Sequence, residues 1–310
     1  MKWGKILIVS LIVISVVLVF MTVFLPGPNG YYRPSRTAED RIVVINLNGT
    51  IQETGSGFLY GGISPRFVQN QLRRAAADRT IKGVVLRVDS SGGSIAASQE
   101  IASMVKKYEK PIVVSMADMA ASGGYYISVH AQGIVAQPGT MTGSIGVIST
   151  LMDLDGLYEM LGIKVETFKS GEHKDMFSRK LTEEERQIMQ DISDEAYNQF
   201  IAEVAEGRGL DIEEVRELAT GQLYLGSQAL KLGLVDRLGG IEEAIDYLAE
   251  LNGFENPVRY EFPQPSMFTQ FFDMSYRVLF SLNKAMLGPE LIMLEILREG
   301  IPPDIRYQVR

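Results

Sequence analysis

Residues 111–128 read Pro111-Ile-Val-Val-Ser-Met-Ala-Asp-Met-Ala-Ala-Ser-Gly-Gly-Tyr-Tyr-Ile-Ser128. The apolar run Ile112, Val113, Val114 predicts a strand over Pro111–Met116. A patch of very small side chains follows, with Ser122 in it and Gly123 and Gly124 directly behind. A helical segment is expected through Tyr125–Ala131, ending at Gly133. The pattern delivers a serine hydroxyl from a strand to the start of a helix. Small neighbours let a peptide backbone come close. A helix start offers unpaired N–H groups and a positive dipole end. A nucleophile that must stabilise an oxyanion needs both. The same residues also suit an ordinary helix entry with Ser122 as N-cap. The stretch is not the Gly-x-Ser-x-Gly elbow, because Ala120 stands two residues before the serine.

The flanking sequence alternates strands and helices. Arg41–Gly49 and Ile81–Asp89 have strand character, and the second runs into Ser90-Ser-Gly-Gly93. Helical spacing covers Phe67–Ala77 and about 96–108, and Gly133–Thr150 suits strand and loop. Thr182-Glu-Glu-Glu185 is a capping-box start for a long helix that stops near Gly207–Gly209. Its stripe of Ile188, Ile192, Ala196 and Phe200 suits core packing and subunit contact. Asp211–Leu218 and Ile241–Leu251 complete the helices, with a helix-turn, a Gly233-Leu-Val235 strand and a turn between them. This alternation specifies an α/β domain.

The chain has 310 residues, a net charge of −8 and a pI near 5.0. That balance argues against nucleic acid as the main partner. It holds no cysteine, hence no disulfide framework and no thiol nucleophile. Ile6–Leu25 is an uncharged apolar run of the length that spans a bilayer, and no Ala-x-Ala cleavage pattern follows it. Lys2 and Lys5 before it favour an N-terminus inside, against Arg33, Arg36 and Arg41 on the other flank. The expectation is a single-pass anchor in the cell membrane (1–25), with a cytoplasmic N-terminus. A linker (26–40) then leads to an extracytoplasmic body (41–256). The apolar segment 257–310 is expected to dock on the body, on a neighbouring subunit or on the membrane surface.

Phosphate-binding glycine motifs are missing, and neither histidine, His130 or His173, lies in a metal-ligand array. No metal and no cofactor is therefore expected. A Ser–His–Asp triad would need one of those histidines. His130, eight residues past Ser122 on the same expected helix, would lie about 12 Å along its axis, too far to take the proton. His173 stays open, with the adjacent Lys174 as its rival. A lysine base requires burial or nearby positive charge to lower its ordinary value of about 10.4. Spacing alone does not choose among Lys164, Lys169, Lys174 and Lys180.

Five ordered motifs give the chain a family resemblance: Leu86–Gly93, Ala120–Ser128, Thr142–Val147, Ser170–Asp175 and Gly226–Asp236. From about Arg41 to Leu251 it resembles the signal peptide peptidase A family, serine proteases of the S49 type, in their short membrane-anchored form. The resemblance implies Ser122 as nucleophile and Lys174 as general base. It implies the N–H groups of Gly93 and Gly123 as the oxyanion hole, these two partly by analogy with caseinolytic-type proteases. Ser91 stands where the family often has proline, a change expected to loosen that loop. The implied fold is a ClpP/crotonase-like superhelix of β-β-α units behind an N-terminal transmembrane helix. The implied assembly is a ring or dome homo-oligomer, with Lys174 acting within its own subunit or on a neighbour. The implied activity is hydrolysis of remnant signal peptides by acyl transfer, without cofactors. Alternatives are an S49 branch acting on a stomatin-like membrane protein and a non-catalytic scaffold. A crotonase-type acyl-CoA enzyme is disfavoured by the anchor and the motifs.

Overall fold

Valine- and isoleucine-rich runs form the sheet of this chain, whose computed structural model describes residues 40–53 and 62–262. The chain divides into two units, Met1–Tyr260 and Glu261–Arg310, and the account below concerns the first. In chain order the strands are β1 (Arg41–Asn48), β2 (Thr50–Ile51), β3 (Gly62–Ile63), β4 (Ile81–Ser90), β5 (Ile112–Ala121), β6 (Gly133–Ala136), β7 (Met141–Gly143), β8 (Leu223–Leu225), β9 (Arg237–Leu238) and β10 (Val258–Glu261). The helices are α1 (Pro65–Ala77), α2 (Ile95–Lys106), α3 (Gly123–Tyr126), α4 (Asp155–Met160), α5 (Glu183–Arg208), α6 (Ile212–Leu218), α7 (Gly226–Lys231) and α8 (Ile241–Asn252).

The main sheet runs β10-β1-β4-β5-β6-β9, and its β1–β4, β4–β5, β5–β6 and β6–β9 pairs are parallel. Parallel strands bury both faces, which explains the near-continuous apolar runs of β1 and β4. On one face Ile42, Val44, Val85, Val113 and Val135 pack against Ala244, Ile245, Leu248 and Ala249 of α8. Two glycines let that helix sit close. A Cβ on Gly83 would lie 2.8 Å from Leu248 Cδ2, and one on Gly133 would lie 2.5 Å from Tyr247 Cε1.

Strand β5 places the site because two different strands share it. Val113–Met116 pair with β6, whereas Met119–Ala121 pair with β7, which in turn pairs antiparallel with β8. The strand expected to end at Met116 therefore continues to Ala121, because β7 supplies hydrogen-bond partners for the small residues. A second correction follows directly. The segment after Ser122 is one helical turn, Gly123–Tyr126, and then a chain of turns to Ala131. Farther on, residues 233–235 are not a strand. Gly233, at φ 70°, closes α7 while Leu234 N–H bonds Ala229 O, and the strand begins only at Arg237.

The long helix α5 has the expected capping box on Thr182 and Glu185 and ends on Gly209 in the left-handed region. Phe200, Ile201 and Val204 are buried in its C-terminal half, whereas Ile192 is exposed. Among the described residues no helix is long and apolar enough to cross a membrane. The expected anchor and nearly all of the linker and of the C-terminal segment lie outside the described residues.

Candidate active site

Ser122 stands between two fixed elements. Its N–H donates to Gly143 O at 2.8 Å, and its carbonyl accepts from Tyr126 N at 2.9 Å. The residue is held at φ 52°, ψ −122°. Positive φ in a non-glycine residue costs about 1–3 kcal/mol and persists only where the surroundings impose it. Here Ala121 is locked opposite Gly143 in β7, and the helical turn begins one residue later. Below that turn Tyr125 is fully buried with its hydroxyl on Leu234 O at 2.9 Å, and burial drives its phenol far above the ordinary range. Tyr126 lies against Phe200 of α5, ring centroids 4.9 Å apart. The serine itself remains partly exposed on this rigid base.

The Ser90–Ser94 loop is folded onto the serine. A Cβ on Gly92 would lie 2.9 Å from Ser122 Cβ and 3.1 Å from Ser122 Oγ. A Cβ on Gly123 would lie 3.3 Å from Gly93 N, so these two amides are neighbours. Among the described residues neither the Gly93 nor the Gly123 N–H has a hydrogen-bond acceptor. Hydrogen bonds on both sides of Ser91 hold the loop. Gly92 N donates to Ser90 Oγ at 3.1 Å, Ile51 N to Gly92 O at 2.9 Å and Ser94 N to Ile51 O at 2.8 Å. Gly93 takes φ 152°, and a Cβ there would fall 2.0 Å from Ile51 O. The serine, the loop and both N–H groups are therefore brought together. With α3 only one turn long, the local N–H groups matter and the helix dipole contributes little.

Lys174 belongs to a different part of the chain. It lies in the Ser170–Lys180 turns that precede α5, its side chain is exposed, and among the described residues its amine has no polar partner. No hydrogen bond joins it to Ser122. Apolar side chains on the chain before these turns are strongly exposed, Ile148 by 88%, Met160 by 86% and Phe168 by 93%. Its neighbours are charged and mutually engaged. Arg179, then Lys169, draw the Asp175 carboxyl down to about 2. Arg179 first, with Thr182 N–H and His173, holds the Glu185 carboxyl well below the usual carboxylate range. His173 faces Glu185, its Nδ1 3.3 Å from Oε1, and so is committed elsewhere than to the serine.

His130 is also occupied away from Ser122. Its Nε2 meets Glu203 of α5, and among the described residues His130, Glu203 and Glu206 could hold a metal, with ligand atoms all within 4.8 Å of one another. Sequence spacing hid this cluster because 73 residues separate His130 from Glu203. The Lys106 ammonium lies 2.6 Å from Glu206 Oε1, already supplying positive charge there.

Comparison with known proteins gives the family of the chain. The profile of peptidase family S49 matches residues 104–255. The chain is 42% identical over 215 residues to a putative signal peptide peptidase SppA of Enterococcus faecium, covering 67% of this chain and 62% of that protein. It is 41% identical over 186 residues to a putative protease of Synechocystis, covering 59% of this chain and 67% of that one. The matches thus span about three fifths to two thirds of those relatives. A mutant of the 1510-N membrane-bound stomatin-specific protease is a structural neighbour at 14% identity, with a TM-score of 0.49 over 73% of this chain and 99% of that one. The chain belongs to peptidase family S49, among its serine-type peptidases of the signal peptide peptidase A kind.

Proposed function

We propose that the chain is a membrane-anchored serine endopeptidase whose nucleophile is Ser122 and whose general base is Lys174. The observation that carries the reading is the strained serine beside two N–H groups, of Gly93 and Gly123, that lack acceptors among the described residues. Lys174 takes the Ser122 proton as Oγ attacks the peptide carbonyl carbon. The carbonyl oxygen becomes an oxyanion, to which Gly93 and Gly123 donate. The ammonium returns its proton to the leaving amine as the C–N bond breaks. Lys174 then deprotonates the water that hydrolyses the ester, freeing an acid and Ser122. No step requires a cofactor.

The exposed apolar side chains that lead up to and follow Lys174, from Ile148 through Phe168 to Phe177, support a homo-oligomer. So much uncovered apolar side chain marks an interaction surface, and a second copy covering it would bring Lys174 to a neighbour's Ser122. Exposed apolar residues also stand on the elements around the serine: Ile95 on α2, Met141 on β7 and Leu223 and Leu225 on β8. They suit apolar peptides. Remnant signal peptides have that chemistry, and an anchor at Ile6–Leu25 with an extracytoplasmic body would meet them at the membrane. Hydrolysis of a fluorogenic signal-peptide fragment by the full chain tests the proposal against Ser122→Ala and Lys174→Ala. Both substitutions should abolish turnover. Activity surviving either one defeats the reading.

A further inference from the structure

Lys174 is flanked by two residues that are tied down, while its own amine has no partner among the described residues. On one side His173 Nδ1 reaches Glu185 Oε1 at 3.3 Å. On the other, Asp175 accepts from Arg179 Nε at 3.0 Å, Arg179 Nη2 at 2.9 Å and Lys169 Nζ at 2.7 Å. The same guanidinium grips Glu185, with Nη1 to Oε2 and Nη2 to Oε1 each at 2.8 Å. Glu185 is 1% exposed and is the one fully buried charged residue among those described. It is rooted in the first turn of α5, where Thr182 N also donates to Oε2 at 2.9 Å. Arg179 thus forks onto two carboxylates at once, the geometry in which guanidinium pairs are strongest and most directional.

This arrangement does two things for the residue between its anchors. It fixes the chain on both sides of Lys174 to a 26-residue helix. It also occupies Asp175, the carboxylate next to Lys174, with Arg179 and Lys169. A free carboxylate beside a lysine would hold the amine protonated, and a neighbouring guanidinium does the reverse. A clamp that served only to cap α5 would not need Asp175, because Thr182 and Glu185 already complete the capping box.

Resting on the reading of Lys174 as base, we infer that Arg179 and Glu185 are positioning residues for it, a charge clamp that aims the amine and keeps Asp175 from capturing it. The charged and titratable groups around the clamp are Lys169, Glu172, His173, Asp175, Lys180, Glu184 and Glu185. Releasing Arg179 therefore leaves Asp175 with Lys169 alone and Glu185 without its guanidinium, so the balance of charge beside Lys174 turns more negative.

The test is the pH dependence of kcat for the full chain as wild type, Arg179→Ala, Arg179→Lys, Lys174→Ala and the double variant Arg179→Ala with Asp175→Asn. For Arg179→Ala, kcat at neutral pH should fall about tenfold or more with KM little changed, and its rising limb should move up by about one pH unit, because the lost guanidinium no longer offsets the Asp175 and Glu185 carboxylates and the ammonium is favoured. Arg179→Lys, which keeps the charge and loses the fork, should fall between that variant and wild type. The double variant also removes a carboxylate that Arg179 offset, so its limb should return toward wild type while kcat stays low. Thermal melts run alongside. If Arg179→Ala does not fold, Arg179→Lys decides by the same two readouts. Limbs that superimpose on wild type, with losses only in melting temperature or KM, overturn the clamp. Activity retained in Lys174→Ala would instead sink the dyad reading beneath it, so the two failures are distinct.

Discussion

Replacing Gly92 with alanine should disable the enzyme out of proportion to its effect on folding. The new Cβ would stand 2.7 Å from Gly123 N, 2.9 Å from Ser122 Cβ and 3.1 Å from Ser122 Oγ. Carbon contacts are comfortable at about 3.5–4.0 Å, so roughly half an ångström or more of clearance must be found. The Gly92 side cannot easily yield, since its carbonyl accepts from Ile51 and its N–H is held by Ser90. The displacement therefore falls on Ser122 and the Gly123 amide. A 1 Å misplacement at a reacting centre costs about 10²-fold, and a loss of that order in kcat/KM is expected. Gly92 also sits at φ 104°, where an L-residue adds about 1–3 kcal/mol of strain. At roughly 2–4 °C per kcal/mol for a domain of this size, the melting temperature drops by several degrees and the fold survives. Gly139→Ala is the control, because a Cβ there meets nothing within 4 Å. The assay is hydrolysis of an apolar fluorogenic peptide with parallel thermal melts. Gly92→Ala at wild-type kcat/KM, or Gly139→Ala equally impaired, would refute the placement of this loop against the nucleophile.

Mixing inactive Ser122→Ala chains with inactive Lys174→Ala chains should restore peptide hydrolysis if the base comes from a neighbouring subunit; a mixture that stays inactive after subunit exchange shows that each chain is self-sufficient. Asp175 titrates below the ordinary carboxylate value, so the folded state binds fewer protons there than the unfolded chain does, and stability is lost as pH falls. The melting-temperature advantage of wild type over Asp175→Asn should therefore be full above about pH 4 and shrink as the pH approaches 2, and an advantage independent of pH contradicts the ion pair. Leu248→Ala empties the contact between α8 and the sheet and should cost about 2–5 kcal/mol in denaturant unfolding, with kcat unchanged at temperatures where the protein remains folded.

The elements legible in the sequence were those with strong local signals. The apolar runs of β1, β4 and β5, and the Thr182–Glu185 capping box, carry their structure in period and cap chemistry. What escaped was set by partners distant in sequence. Strand β5 continues through Ala117–Ala121 because β7 and Ser90 pair with it, a stabilisation that alanines do not advertise. The helix expected over Tyr125–Ala131 stops after one turn, and Gly233 ends α7 where an apolar triplet suggested a strand. Of the candidate site, Ser122 is legible from its strand-to-glycine setting, Gly93 and Gly123 only through the family resemblance, and the fold places the three side by side. The network of Arg179, Asp175 and Glu185 was not legible, although Glu185 was visible as a cap. Nothing in a helix-capping pattern tells that the same carboxylate anchors the chain around Lys174.

The identity of the nucleophile and its base is tested most directly by covalent labelling of the full chain with an apolar peptidyl fluorophosphonate, followed by peptide mapping and a labelling rate for wild type and Lys174→Ala. A single adduct on Ser122, formed at least about 10²-fold more slowly without Lys174, is the result expected of a serine that depends on a lysine base. An adduct on another residue, or an unchanged rate in Lys174→Ala, would contradict it.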